Sequence, residues 1–476
     1  MDAKKFLAIE AKYNLNSLNV QGVDYWNYSR FDIWTNYICK ELLSLGSSNG
    51  NYSIDLFSYL KRIKYFFNKP YHKGECEILY LNHPRRVKIG SLFECPYTED
   101  LNKLYKSVTI EDEFQQKHFT PNNTPNLIYT DKYTILASLY ARAIHLYRKN
   151  YKKTYIQIKN QINSAINEFN DTYDCRIDLD TICKKITKDI YCIKCIRYFL
   201  NRLIKEINPK IIVEVVHYRT INMIINEIAK DYGITTIELQ HGIIYPYHIS
   251  YQYNKGVSIK QFPDKIFLFS DYWKASIQAP IKDDYLIPVG YPYFEKNLSK
   301  YVTHIKNSNR YTILFVSQGT IGKKLSEFAA RLVKLLGTSE YRFIYKLHPS
   351  EYMNWSTLYQ SLNNIEIEVI DNNDESIYYY FSQSDMQIGV YSTAIYEGLA
   401  FSLKTLLLRV GQYDVMKPLV DGGYAIYIDD EYQALNIIQN KKYKSINSDR
   451  FWKFNALNNI KAELDNELRL SSQFET

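Results

Sequence analysis

The chain has 476 residues, 46% of them hydrophobic, and a net charge of +8 from 59 basic and 51 acidic side chains. That length exceeds what one core usually supports, so two domains are expected, and the composition excludes a disordered chain. The basic residues are dispersed, which argues for a solvated surface and against a nucleic-acid stripe, and no apolar run approaches the ~18 residues of a bilayer span.

Seven cysteines without framework spacing predict a reducing compartment, and the polar start of the chain shows no secretory leader, so a cytoplasmic location is expected. Cys192 and Cys195 form a lone CxxC with no second pair at zinc spacing, and they are expected to be incidental cysteines on a helix. The 46 tyrosines show no repeat and read as compositional bias plus packing.

In chain order, residues 1 to about 70 are helical and aromatic, with a turn cluster at Ser47, Ser48, Asn49, Gly50 and Asn51. Glu77 to Leu81 predicts a short strand ending in Asn82, His83, Pro84, Arg85 and Arg86, either an anion-facing loop or a solvated basic turn. Residues 98 to 130 carry little pattern. Residues 132 to 206 form a long helical insertion, expected to pack on its domain, with an acceptor- or membrane-facing surface as the alternative. Ile211 to Val216 predicts a buried strand. Thr220 opens a helix with Ile221, Ile224, Ile225, Ile228 and Ala229 on one face, and Gly233 stops it before a second strand, Ile234 to Leu239. This is a βαβ unit, and strands at 265–269 and 285–289 continue its sheet. Residues 295 to 309 read as a linker. A second set of βα units follows, with a strand at 311–316, a helix over 324–336, and strands at 342–346, 365–370, 386–390, 405–408 and 424–428. The expected division is an N-terminal domain over 1–298, a C-terminal domain over 309–430 and a closing helical tail over 431–476.

Polar clusters stand just past the strand ends, where open parallel sheets bind ligands. In the second domain these are Ser317-Gln318-Gly319-Thr320, the Lys346-Leu347-His348-Pro349 run, and Ser392-Thr393 with Glu397 one turn on. A hydroxyl at a strand-to-helix turn caps free amides, and the positive helix end favours phosphate. His348 is a candidate to hold a leaving phosphate, and Glu397 to hold ribose hydroxyls, against plain capping and solvation. In the first domain His217 and Arg219 follow one strand, and Gln240, His241 and Gly242 follow the next. His241 is the candidate base for an acceptor hydroxyl, with His217, Asp264 and Glu238 as rivals for that role.

Gln-His-Gly after a strand of the first domain, Lys-Leu-His-Pro in the second, and Tyr-Ser-Thr followed by Glu397 together resemble bacterial GT-B glycosyltransferases of capsule and lipopolysaccharide assembly. Similar elements occur in teichoic acid glycerophosphotransferases and in bacterial sialyl- and Kdo-transferases. The resemblance covers roughly residues 210 to 430. It implies an α/β GT-B fold, with two Rossmann-like, doubly wound parallel-sheet domains facing a cleft and a helical insertion in the N-terminal one. Carried over by position, it implies that His348, Ser392 and Thr393 contact the donor phosphate and that His241 is the base. Ser317, Gln318, Gly319, Lys346, Pro349 and Glu397 are the further donor-side candidates, with His241 and His348 catalytic and His217, Arg219, Gln240 and Gly242 on the acceptor side. The implied partners are a nucleotide sugar, CMP- or CDP-linked, and a glycan or lipid-linked glycan, met at the inner face of the cytoplasmic membrane. The chain departs from the family in having Gln240 where the teichoic type has tryptophan, Thr393 for a second serine, and no acidic sialyltransferase motif. No Asp-x-Asp motif lies at a strand end, so no metal or other cofactor is expected. The rival readings are polyol-phosphate transfer, a UDP- or GDP-sugar transferase, a sugar-nucleotide epimerase and a non-catalytic scaffold.

Overall fold

The computed structural model describes residues 2–39, 62, 64–67, 76–114, 117–146, 148–440 and 449–473. The turn cluster at Ser47 to Asn51 lies outside them. The chain divides into two compact units, Met1–Gly290 with Asn455–Thr476, and Tyr291–Phe454.

The first unit is built on seven parallel strands: β1 (Ile78–Leu81), β4 (Ser107–Glu111), β5 (Leu127–Tyr129), β6 (Ile211–Val215), β7 (Thr235–Leu239), β8 (Lys265–Leu268) and β9 (Leu286–Pro288), with a small antiparallel hairpin, β2 (Val87–Ile89) and β3 (Leu92–Glu94), between β1 and β4. The sheet order is β5-β4-β1-β6-β7-β8-β9. The chain therefore starts at the middle of the sheet, lays two strands to one side, and crosses over to lay four on the other. The reversal between β1 and β6 is the switch point at which doubly wound sheets bind ligands beyond their carboxyl ends.

The crossover from β5 to β6 runs through the three helices Asp131–Leu146, Arg148–Tyr173 and Leu179–Ile207, the insertion expected from periodicity. The last of them shows why such a long element holds. Asp178 caps its first turn by accepting from the Thr181 amide, and Asn208, in the left-handed region, ends it. Ile182, Ile186, Ile190, Ile193, Leu200 and Ile204 fall on one stripe and are buried. Cys192 and Cys195 sit on this helix as free thiols, and burial pushes the Cys192 thiol up to about 12. They are inert packing groups. The N-terminal helices Ala3–Lys12 and Tyr25–Asp32 close the same core with Phe6 and Trp26, joined by Trp34 from the turn Ile33–Ile38 that continues the second helix.

From the second helix Arg30, only 1% exposed, pairs with Glu10 through two bonds of 2.8 Å. It also donates to the carbonyls of Ile249 (2.5 Å) and Gln252 (2.9 Å), and its guanidinium lies 4.2 Å over the Tyr253 ring. A buried charge is tolerable when it is paired and hydrogen-bonded in this way. The result is that the loop after β7 is clamped from a helix more than 200 residues earlier in the chain.

The second unit has six parallel strands, β10 (Tyr311–Val316), β11 (Tyr341–Lys346), β12 (Glu368–Ile370), β13 (Met386–Gly389), β14 (Lys404–Leu408) and β15 (Ile426–Ile428), in the order β12-β11-β10-β13-β14-β15. This repeats the plan of the first sheet, with its switch point between β10 and β13. The helix Gly322–Leu336 packs Leu325, Phe328, Ala329, Leu332 and Val333 on the sheet, and Gly337, at φ 69°, ends it. Two doubly wound α/β units with a helical insertion in the first are therefore present.

Three expectations change. Residues 295–309 are not a free linker, because Pro292 opens a helix to Tyr301 that buries Phe294 and Tyr301 on one face. The end of the chain is not one tail. Helix Glu431–Asn440 belongs to the second unit, whereas Ala456–Gln473 returns to the first and packs Ile460 and Leu464 against its sheet. Residues 98–130, read as unpatterned, contain β4 and β5. Ser107, Thr109 and Glu111 break the apolar run, yet all three are buried because Asn102 and Arg86 bond them.

Candidate functional site

Each unit gathers polar side chains at its own switch point. In the first unit the backbone itself is unusual there. Val216, directly after β6, sits at φ 67°, a region that costs a β-branched residue on the order of 1–2 kcal/mol. The kink turns His217, Tyr218 and Arg219 over the sheet's carboxyl edge.

Glu238, near the end of β7 and fully buried, organises the cluster. Its Oε2 lies 2.7 Å from His217 Nδ1, and its Oε1 accepts from the Tyr251 hydroxyl (2.9 Å) and the His217 amide (3.2 Å). His217 Nε2 faces the Ser250 carbonyl at 3.1 Å, so both nitrogens of that ring meet acceptors. Burial works to raise the Glu238 carboxyl, but the charge and hydrogen bond of His217 outweigh it and hold the group below the usual range.

His241 keeps 16% of its side chain exposed. Its Nε2 is 3.1 Å from the Tyr218 hydroxyl, its carbonyl accepts from Tyr97 (2.8 Å), and its Nδ1 is buried 3.8 Å from Glu238. Desolvation pulls His241 down to about 3, with Glu238 opposing, so the ring is neutral at physiological pH. His83, beyond β1, has its ring 6.1 Å from that of His241 and is likewise lowered to about 3, by burial and then by Arg85 and Arg219. His248, packed among Phe31, Tyr218, Tyr245 and Tyr251, is the third histidine lowered to about 3 by burial.

The remaining acceptor-side candidates have structural duties. The Gln240 amide is spent on the Gly242 carbonyl (2.8 Å) and the Phe269 amide (2.8 Å), which fixes the loop carrying His241. Arg219 donates to Asp112 (2.6 Å) and keeps part of its surface exposed. Asp264, a rival for the base, lies at the opposite edge of the sheet, where it accepts from the Thr236 amide and hydroxyl at 2.9 Å. It has no part in this cluster.

In the second unit the hub is Glu351, which sequence reasoning passed over. Its carboxylate accepts from Ser317 (2.9 Å), Tyr359 (2.6 Å) and the His348 amide (2.6 Å). The His348 ring in turn caps the Ser350 amide through Nδ1 (3.2 Å), a reciprocal capping box that sets the ring's orientation. Gly322 lies so close that an added Cβ would stand 2.2 Å from both Glu351 Oε1 and the Tyr359 hydroxyl. Ser317 is thus a brace. Gln318 beside it has a buried Oε1 with no hydrogen-bond partner among the described residues, and Gly319 and Thr320 are exposed. The helix that follows has no side-chain cap at Ile321, so its first amides remain available.

Thr320 reaches across the switch point to Tyr391 (2.8 Å), and Ser392 caps the Ala394 amide of the helix that Thr393 opens. Lys346 is almost fully buried. It donates to the Asn372 carbonyl (2.8 Å) and the Tyr352 hydroxyl (2.6 Å), and burial brings it down to about 8. Pro349 is exposed beside it. Burial also raises Glu397 to about 7, with Tyr378 opposing through a hydrogen bond.

Among the described residues no group of three or more His, Cys, Asp or Glu side chains is arranged to hold a metal ion, and no helix is long and apolar enough to cross a membrane.

No protein-family model matches the chain, and no curated protein matches it. Among solved structures it is similar to the UDP-GlcNAc 2-epimerase of Methanocaldococcus jannaschii, at 9% identity and a TM-score of 0.48, covering 83% of this chain and 100% of that one. It is also similar to the wall teichoic acid polymerase TagF, at 12% identity and a TM-score of 0.45, covering 88% and 95%. A third is MurG of Acinetobacter baumannii, at 12% identity and a TM-score of 0.37, covering 60% and 79%.

Proposed function

We propose that this protein is a GT-B-type glycosyltransferase that moves a sugar from a CMP- or CDP-linked donor to a hydroxyl of a bacterial surface glycan, capsule or lipopolysaccharide, without a metal ion. The observation that carries this reading is the neutral imidazole of His241 at the first unit's switch point, held by Tyr218 and backed by an ionised Glu238. A neutral imidazole can take the proton of an attacking hydroxyl, and Glu238 favours the imidazolium that results.

Donor binding is assigned to the second unit. The uncapped amino end of helix Gly322–Leu336 and the unpartnered Gln318 oxygen suit a nucleotide diphosphate or monophosphate, with Gly319 allowing close approach. Lys346, Pro349, Ser392, Thr393 and Glu397 surround that loop in the proposal, with His348 at the leaving phosphate. Catalysis then comes from positioning and from hydrogen bonds to the departing phosphate. Peripheral attachment to the inner face of the cytoplasmic membrane belongs to the same reading. Leu139 (50%) and Leu146 (80%), exposed on helix Asp131–Leu146, support it.

The first experiment is thermal shift against CMP, CDP, UDP and GDP. A ligand at a hundred times its Kd stabilises the native state by about 2.7 kcal/mol, and a cytidine nucleotide is expected to do so. Nucleotide release is then measured with and without an acceptor glycan. Release that needs acceptor supports transfer, release without it points to an epimerase or hydrolase, and neither binding nor release rejects the proposal.

A further inference from the structure

One pair of contacts decides which nitrogen of His241 is available to a proton. Nε2 lies 3.1 Å from the Tyr218 hydroxyl, while Nδ1 is buried, makes no hydrogen bond among the described residues, and stands 3.8 Å from Glu238 Oε1. Two tautomers compete. If Nε2 carried the proton, the Nδ1 lone pair would face a carboxylate and two negative regions would meet in a desolvated pocket. If Nδ1 carries it, the N–H points toward that carboxylate and the Nε2 lone pair accepts from Tyr218. The Coulomb sign selects the second arrangement, and low polarity strengthens the preference. Glu238 cannot turn away, because His217 and Tyr251 hold both of its oxygens at 2.7 to 3.2 Å.

We propose that Tyr218 and Glu238 are positioning residues that hold His241 as the Nδ1–H tautomer and so make Nε2 the atom that receives the acceptor's proton. The proposal rests on the transferase reading above and deepens it by fixing which nitrogen of His241 takes the proton. In the step, the acceptor hydroxyl takes the place of the Tyr218 hydroxyl at Nε2. The acceptor oxygen bonds to the transferred group, and the bond from that group to the nucleotide phosphate breaks with its electron pair leaving on the phosphate. The hydroxyl proton passes to Nε2. The imidazolium then presents Nδ1–H to Glu238, whose charge it meets without a change of position. The other titratable or charged groups around His241 are His83, Tyr97, His217 and His248, with Arg85 and Arg219 beside His83.

The test uses the full chain labelled with ¹⁵N-histidine, with His241→Gln to assign the resonances. A protonated Nδ1 and an unprotonated Nε2 are expected at neutral pH, and a shift toward mixed tautomers in Tyr218→Phe. The reverse pattern in the wild type, or a doubly protonated ring, overturns the proposal whatever the variants do. In the transfer assay Tyr218→Phe should lower kcat about tenfold and Glu238→Gln about 10²- to 10³-fold, with the KM for donor little changed. Glu238→Gln should also move the acid limb of kcat to lower pH, because the proton on His241 loses its carboxylate. Wild-type rates and an unmoved limb in both variants overturn the proposal. A wild type that transfers nothing refutes the transferase reading instead, and the nitrogen shifts still decide the tautomer.

Discussion

Replacing His248 with glutamine isolates one consequence of burying three histidines together. The ring lies 4.9 to 5.9 Å from those of Phe31, Tyr218, Tyr245 and Tyr251, and burial takes it from 6.5 to about 3. The folded-state value is depressed, so the unfolded chain takes up the proton first. The stability this group contributes is whole above about pH 6.5 and is lost as the pH falls toward 3. The loss is below ~0.1 kcal/mol at about pH 7.5 and reaches about 2 kcal/mol at about pH 5. Glu214 and Glu397, both raised to about 7 by burial, act in the opposite sense, so the total pH curve of the protein is a poor readout. The difference between His248→Gln and wild type cancels them. Whatever the variant costs at pH 7.5, that cost should shrink by about 2 kcal/mol at pH 5. Amide exchange of β6 and β7, measured at both pH values, reports the first unit alone. Parallel pH dependences of the two proteins would refute the assignment of His248 as a buried neutral base.

Val216→Gly should be at least as stable as Val216→Ala, by about 1 kcal/mol in urea unfolding, because only glycine occupies φ 67° without strain. Gly322→Ala should cost about 1–3 kcal/mol and weaken nucleotide binding, since its Cβ would displace Glu351 and Tyr359. Glu351→Ala, which frees the buried Ser317 and Tyr359 hydroxyls and the part-buried His348 amide, should cost about 3 kcal/mol or more in the second unit's unfolding transition. His348→Ala should leave the fold intact and abolish transfer, while Ser392→Ala or Thr393→Ala should raise the Kd for donor in titration calorimetry. Turnover should persist in excess EDTA.

The sequence revealed most where a residue's partners are its chain neighbours. Continuous apolar runs marked β6, β10 and β11, and a 3.6-residue stripe marked the helices after β6 and β10. β4 escaped because its polar side chains are satisfied from Asn102 and Arg86, a tertiary fact with no local trace. The helix Pro292–Tyr301 did leave a signal, in a proline at its first turn and in Phe294, Leu298 and Tyr301 at helical spacing. The position of His241 after a strand was readable. Its tautomer was not, since that depends on Tyr218 and Glu238 arriving from the ends of two adjacent strands. Glu351 was visible in the Lys-Leu-His-Pro-Ser-Glu run, but its bonds to Ser317 and Tyr359 come from other elements. His83-Pro84 after β1 repeats the His348-Pro349 pair after β11, and this repetition could have drawn attention to it.

The Arg30 clamp also sets an order of assembly. During synthesis Glu10 and Arg30 emerge long before Ile249 and Gln252 exist, so for most of translation the guanidinium must remain hydrated. Only when the ribosome has delivered the segment after β7 can it be buried, and the same docking event brings Ser250 and Tyr251 to His217 and Glu238. A nascent chain stalled before that point would carry five of the sheet's seven strands, with His217 still lacking the Ser250 carbonyl and Glu238 the Tyr251 hydroxyl.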